Sequence, residues 1–100
     1  MINIYYLEYC PHSQKALQTL EKYKIDHHKI ESSCNKEERK QYFPTFPQIY
    51  WDDKLIGGND DFTKIIQNLQ NNIILTAHKG WDECSKREWY GFLLNIAEKL

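Results

Sequence analysis

The sequence predicts a single α/β domain, a mixed four-stranded sheet flanked by helices, with an extra helix at the C-terminus. Three observations carry that expectation. Short β-type runs alternate with stretches whose apolar residues recur at helical spacing. Their order is strand, helix, strand, helix, strand, strand, helix. A β-α-β unit followed by a hairpin and a helix implies a mixed sheet with helices on its faces. The length, 100 residues, suits one domain with a modest core.

Asn3 to Leu7 reads as a short buried strand, because Ile4, Tyr5 and Tyr6 favour the pleated conformation. Cys10-Pro11 follows, and proline suits the first turn of a helix, where its missing N–H has no helical partner. Ala16, Leu17, Leu20 and Tyr23 then recur at helical spacing to about Lys24. His27 to Glu31 forms a second strand. Asn35 to Gln41 is a short charged helix capped by Asn35, closed by Pro44 and Pro47. Gln48 to Trp51 and Lys54 to Ile56 make a hairpin around Asp52-Asp53. Gly57-Gly58 breaks the pattern, and Asn59 or Asp60 caps a helix carrying Phe62, Ile65, Ile66 and Leu69. Residues 1–75 form the domain. Residues 76–100 are an extension packed on it, with Trp89, Phe92, Leu93, Ile96, Ala97 and Leu100 as an apolar stripe on a last helix.

Composition narrows the function. A formal net charge of −1, with eleven lysines against two arginines, gives no electrostatic case for nucleic acid or a membrane surface. No apolar run approaches the roughly 20 residues of a membrane span, and the N-terminus lacks the pattern of a secretory signal. Three widely spaced cysteines, Cys10, Cys34 and Cys84, make a poor disulfide framework and fit a reducing, cytoplasmic setting. His27 and His28 point to opposite sides of a strand, and with His78 and the scattered cysteines no spacing resembles a metal site.

The chemistry concentrates in three segments. In Cys10-Pro11-His12-Ser13 the thiol sits between a strand and a helix, where free N–H groups and the helix dipole favour an anion. The thiolate is the nucleophile of disulfide exchange. Ser13 excludes an internal dithiol cycle at this motif, while its hydroxyl retains hydrogen-bonding capacity. His12 reads as a helix-surface residue beside the ligand groove. Thr45-Phe46-Pro47-Gln48 is the second segment. A cis bond before Pro47 would turn the Phe46 backbone outward to pair with an extended ligand. The third is Gly57-Gly58-Asn59-Asp60-Asp61, a tight turn into a helix start that offers N–H groups to a carboxylate.

Together, C-P-H-S, T-F-P-Q and G-G-N-D-D, in that order, resemble the glutaredoxin family over roughly residues 2 to 70. The resemblance implies a thioredoxin-like fold, with Cys10 as nucleophile and Pro11, His12 and Ser13 completing the active-site motif. It implies that Phe46 and cis Pro47 hold the cysteinyl part of glutathione, and that Gly58, Asn59, Asp60 and Asp61 hold its γ-glutamyl end. Leu7 stands where the family often has a lysine for the glycyl carboxylate, so Arg39 or Lys40 is expected to supply that charge, with Lys15 next. The implied function is a monomeric glutathione-dependent thiol–disulfide oxidoreductase acting on glutathionylated or disulfide-containing proteins by a monothiol route. The F-P-T-F-P-Q stretch also resembles monothiol members that share a [2Fe–2S] cluster between two subunits. Pro11 in place of their glycine ranks cluster carriage second, ahead of a binding module without efficient turnover.

Overall fold

The computed structural model describes Met1–Leu100. Its elements are β1 (Ile2–Tyr6), α1 (Pro11–Lys22), β2 (His27–Glu31), α2 (Lys36–Arg39), β3 (Gln48–Trp51), β4 (Lys54–Gly57), α3 (Asn59–Gln70) and α4 (Lys86–Ala97). The strands form one sheet in the order β2-β1-β3-β4. β1 runs parallel to β2 and antiparallel to β3, and β3 and β4 are antiparallel, so the sheet is mixed. No helix is long and apolar enough to cross a membrane.

β1 lies one residue earlier than its composition suggests. The Met1 amino group meets the Asp52 carboxylate at 2.8 Å, and Asp52 N–H donates to the Met1 carbonyl at 2.9 Å. This ties the N-terminus to the β3–β4 turn and brings Ile2 into the ladder opposite Trp51. At the other end Leu7 leaves the sheet, because its N–H donates to Ser13 Oγ. α1 ends where Lys24 adopts a positive φ of 53° and Ile25 N–H closes back on the Leu20 carbonyl at 2.9 Å, which buries Ile25. α2 is shorter than its charge pattern implies: a 3₁₀ turn at Ser33–Asn35 takes up Asn35, which stands at the cap position without a side-chain cap bond, and the helix ends at Arg39.

One apolar cluster organises the chain. Ile2, Ile4 and Ile49 from the sheet meet Ala16, Leu17 and Leu20 of α1 and Phe62, Ile65 and Ile66 of α3. α4 adds Trp89, Phe92, Leu93 and Ile96 to the same cluster. Ala97 and Leu100, at the end of the apolar stripe, remain exposed. The segment before α4 is fastened by side chains to the outermost strand. Trp81 Nε1 donates to the Leu55 carbonyl and His78 Nε2 to the Ile56 carbonyl, both at 2.7 Å. The His78 ring stacks on Trp89 with centroids 4.5 Å apart.

Candidate active site

Cys10 occupies the cap position of α1, with extended backbone (φ −90°, ψ 118°) and Pro11 as the first helical residue. The N–H groups of His12 and Ser13 have no backbone acceptor, as expected for the first turn of a helix. The thiol is half-buried and its sulfur lies 3.8 Å from the Phe46 carbonyl oxygen. Cys34 and Cys84 are free, exposed and absent from the cleft that Cys10 lines and from the one beside Phe46.

The turn before Cys10 is closely held. Cys10 N–H donates to the Leu7 carbonyl at 3.1 Å, and Leu7 N–H donates to Ser13 Oγ at 3.2 Å. Ser13 is therefore fully buried and spends its oxygen on the turn, leaving the hydroxyl hydrogen to rotate. Gln14 Nε2 donates to the Glu8 carbonyl at 2.6 Å. Glu31, at the end of β2, accepts the Glu8 N–H at 3.1 Å. Hydrogen bonds from the Ser33 hydroxyl and N–H hold the Glu31 carboxyl below its ordinary range. That contribution is present above the ordinary carboxylate range and is lost as pH falls through the depressed value.

The loop opposite Cys10 is organised by Gln48. This fully buried side chain donates from Nε2 to the Arg39 and Phe43 carbonyls, both at 2.9 Å, and its Oε1 accepts Arg39 Nε–H at 3.1 Å. The Phe46–Pro47 peptide bond is cis. Gln48→Leu leaves the part-buried Arg39 and Phe43 carbonyls and a guanidinium N–H without their partner. A loss of about 3 kcal/mol is expected in urea denaturation, given roughly 1–3 kcal/mol for each buried polar group left unsatisfied.

The helix start at α3 forms the third wall. Gly58, rather than Asn59 or Asp60, is the cap residue, and its N–H donates to Asp61 Oδ2 at 3.1 Å. Gly57 has a φ of +135°, and a Cβ there would collide with the Asp61 carboxylate. A Cβ at Gly58 would press on the Phe43 ring at 3.3 Å. Gly57→Ala is thus expected to destabilise by about 1–3 kcal/mol, read by thermal denaturation. The N–H groups of Asn59, Asp60 and Asp61 have no backbone acceptor.

These parts leave two clefts near the nucleophile: Cys10 lines the second, and the first adjoins it through Phe46, whose carbonyl lies 3.8 Å from the sulfur. One, of about 270 Å³, is lined by His12, Phe43, Thr45, Phe46 and Gly58 to Asp61. The other, of about 310 Å³, is lined by Leu7, Glu8, Tyr9, Cys10, Glu31, Ser33 and Lys36. A larger cleft of about 500 Å³ lies farther off, between β4 and residues 78–82, and does not include Cys10.

The structure thus brings His12, Phe46, Gly58, Asn59, Asp60 and Asp61 to one cleft, and Pro47 backs it, since its carbonyl lies 3.6 Å from the Cβ position of Gly58. Pro11 is exposed on the helix start. Arg39 and Lys40 line neither cleft. The Arg39 guanidinium lies 3.6 Å above the Tyr5 ring and 4.7 Å from that of Tyr42, and donates to the Tyr50 hydroxyl. Lys40 pairs with Glu37 at 3.3 Å. Lys15 lines a separate surface hollow with Asn59 and Asp60. The cation that shares a cleft with Cys10 is Lys36, which sequence reasoning missed. Its signal was slight: one of several lysines, at the start of a charged helix.

Comparison with known proteins agrees with this geometry. No curated protein sequence matches the chain. A crystal structure of a buckwheat glutaredoxin–glutathione complex superposes with a TM-score of 0.57 at 15% identity, covering 71% of this chain and 69% of that one. The holo form of glutaredoxin C1 from Populus tremula x tremuloides gives 0.59 at 17% identity, covering 96% and 78%. At such identities the likeness establishes the fold, which is that of the glutaredoxins. The family model for glutaredoxin matches residues 2–56, more than half of the sequence and the whole stretch from β1 through Cys10 and cis Pro47 into β4, and the chain belongs to the glutaredoxin family.

Proposed function

We propose that this chain is a glutathione-dependent thiol–disulfide oxidoreductase that reduces protein–glutathione mixed disulfides with Cys10 as its one reacting thiol. The observation that carries the reading is the placement of Cys10 at a helix cap, lining one cleft and touching the Phe46 carbonyl of another, with a buried serine, not a second thiol, three residues on. The buckwheat relative is a complex with glutathione, which supports the same ligand here.

Glutathione's γ-glutamyl carboxylate meets the free N–H groups of Asn59 to Asp61, where a helix start favours an anion. The cysteinyl part runs along Phe46, bringing its sulfur to Cys10. The glycyl carboxylate reaches the far cleft, where Lys36 supplies the positive charge that Leu7 lacks. The Cys10 thiolate attacks the glutathione sulfur of the mixed disulfide. A Cys10–glutathione disulfide forms, and the partner's thiolate leaves and takes a proton from water. The thiolate of a second glutathione attacks the glutathione sulfur of that disulfide, releasing oxidised glutathione and restoring the Cys10 thiolate. Three free cysteines suit the reducing cytoplasm, where glutathione is abundant.

Turnover of a glutathionylated peptide in the presence of glutathione tests the reading, and no turnover above the uncatalysed rate overturns it. Lys36→Ala is expected to raise the KM for glutathione about two- to five-fold, the scale of an exposed charge-assisted contact. The effect should shrink at high salt. Arg39→Ala and Lys40→Ala should leave KM near the parent value. A KM unchanged in Lys36→Ala would place the glycyl carboxylate elsewhere. The shared [2Fe–2S] reading finds no supporting observation.

A further inference from the structure

We propose that Glu31 is a positioning residue for the nucleophile, its carboxylate fastening the turn that presents Cys10 to the end of β2. The inference rests on the reading of Cys10 as the reacting thiol, and it assigns a task to a residue outside all three motifs.

Four backbone groups in the turn are held by named partners. Leu7 N–H is held by Ser13 Oγ, the Glu8 carbonyl by Gln14 Nε2, and the Leu7 carbonyl by Cys10 N–H. The first two partners belong to α1 and move with it, and the third bond lies inside the turn. Glu8 N–H is the exception, because its acceptor, Glu31 Oε2, belongs to β2. Of these four bonds it alone ties the turn to that outer strand.

The carboxylate is itself fixed. Its Oε1 accepts the Ser33 N–H at 2.8 Å and the Ser33 hydroxyl at 2.6 Å. β1 and β2 pair Tyr6 with Glu31, so the side chain leaves the sheet two residues before Glu8 and reaches forward to it. An exposed glutamate is ordinarily free to sample several rotamers, and three converging donors are what remove that freedom here. Glu31 shares its cleft with Glu8, Lys36 and Cys10. A carboxylate in that company opposes a thiolate by like charge, so electrostatics alone would make it a poor choice. Its use as a fastening does not suffer from that objection.

The two explanations make opposite forecasts for Glu31→Gln. The amide oxygen keeps the Ser33 donors, while the amide nitrogen replaces Oε2 and cannot accept Glu8 N–H. If Glu31 positions the turn, hydrogen exchange at the Glu8 amide accelerates about tenfold, the scale of one lost charge-assisted bond. Cys10 alkylation by iodoacetamide slows several-fold. The kcat for a glutathionylated peptide falls about three- to ten-fold, with KM for glutathione within twofold, as expected when a reacting atom is less well placed. Ser33→Ala, which removes only the hydroxyl donor, should move each quantity the same way by less. Faster alkylation in Glu31→Gln would overturn the proposal in favour of like-charge relief. So would unchanged exchange at Glu8, or faster exchange with alkylation at the parent rate. Exchange and alkylation need no glutathione turnover, so they decide the role of Glu31 even if the proposed activity fails.

Discussion

Cys10→Ser is expected to abolish mixed-disulfide turnover, leaving less than about 0.1% of the parent rate, since serine is neither ionised at neutral pH nor able to form a disulfide. Every step of the proposed cycle forms or breaks a bond to that sulfur. The flanking geometry, with extended backbone at the cap and Pro11 behind it, survives the change because serine is itself a favoured cap residue. A folded, inactive variant is therefore the forecast, and circular dichroism separates it from an unfolded one. Cys34→Ser and Cys84→Ser should retain full turnover, because neither thiol lines a cleft beside Cys10. A loss in Cys34→Ser as deep as that in Cys10→Ser would show that Cys34 resolves the intermediate, and the single-thiol route would be wrong.

Trp89→Ala is expected to have the largest effect on stability, about 3–5 kcal/mol by denaturant unfolding. The side chain is almost wholly buried, stacks on His78 and packs at 5.4 Å against Phe92. Its Nε1 donates to the Leu75 carbonyl at 2.9 Å. Truncation removes all of these at once and opens a cavity between α4 and the sheet. Against a total stability of roughly 5–15 kcal/mol, a drop of at least about 12 °C in Tm is forecast for a domain of this size. Trp89→Phe keeps a ring for His78 to stack on and forfeits the N–H bond, so its cost should be smaller. A Trp89→Ala loss below about 1 kcal/mol would mean that α4 does not belong to the folding unit.

What was legible in the sequence was legible because local chemistry forces local shape. A proline directly after Cys10 announces a helix start, Asp52-Asp53 between two β-type runs announces a hairpin, and the diglycine announces the turn into α3. The order of runs was enough for a mixed sheet. The cap of α3 was placed one or two residues late, at Asn59 or Asp60 instead of Gly58. Asn59 and Asp60 both looked like caps by side-chain chemistry, yet Asp61 reaches back to the Gly58 N–H and only glycine tolerates the conformation at Gly57. Contacts between distant segments were beyond local reasoning. Arg39 reads as a free surface cation until β1 and β3 bring Tyr5 and Tyr50 beneath it. Lys36 enters the site only because β2 and the 3₁₀ turn deliver it beside Leu7. Gln48 carried a readable hint, a polar residue opening an otherwise apolar strand, but its two partners, Phe43 and Arg39, lie five and nine residues away in sequence, at no fixed period.

The bonds from His78 and Trp81 to β4 bear on how this molecule meets other proteins. An outer strand with bare carbonyls is a template on which a foreign strand can assemble, the starting point of fibrils and of domain exchange. Here two ring N–H groups occupy the Leu55 and Ile56 carbonyls, which takes from that side two acceptors a foreign strand would use. The opposite margin, β2, carries His27, His28, Lys29 and Glu31 along a five-residue strand, too short and too polar to invite a neighbour. Under the proposed activity, in which one client after another would be received at Cys10, both margins of the sheet are poor templates for strand addition.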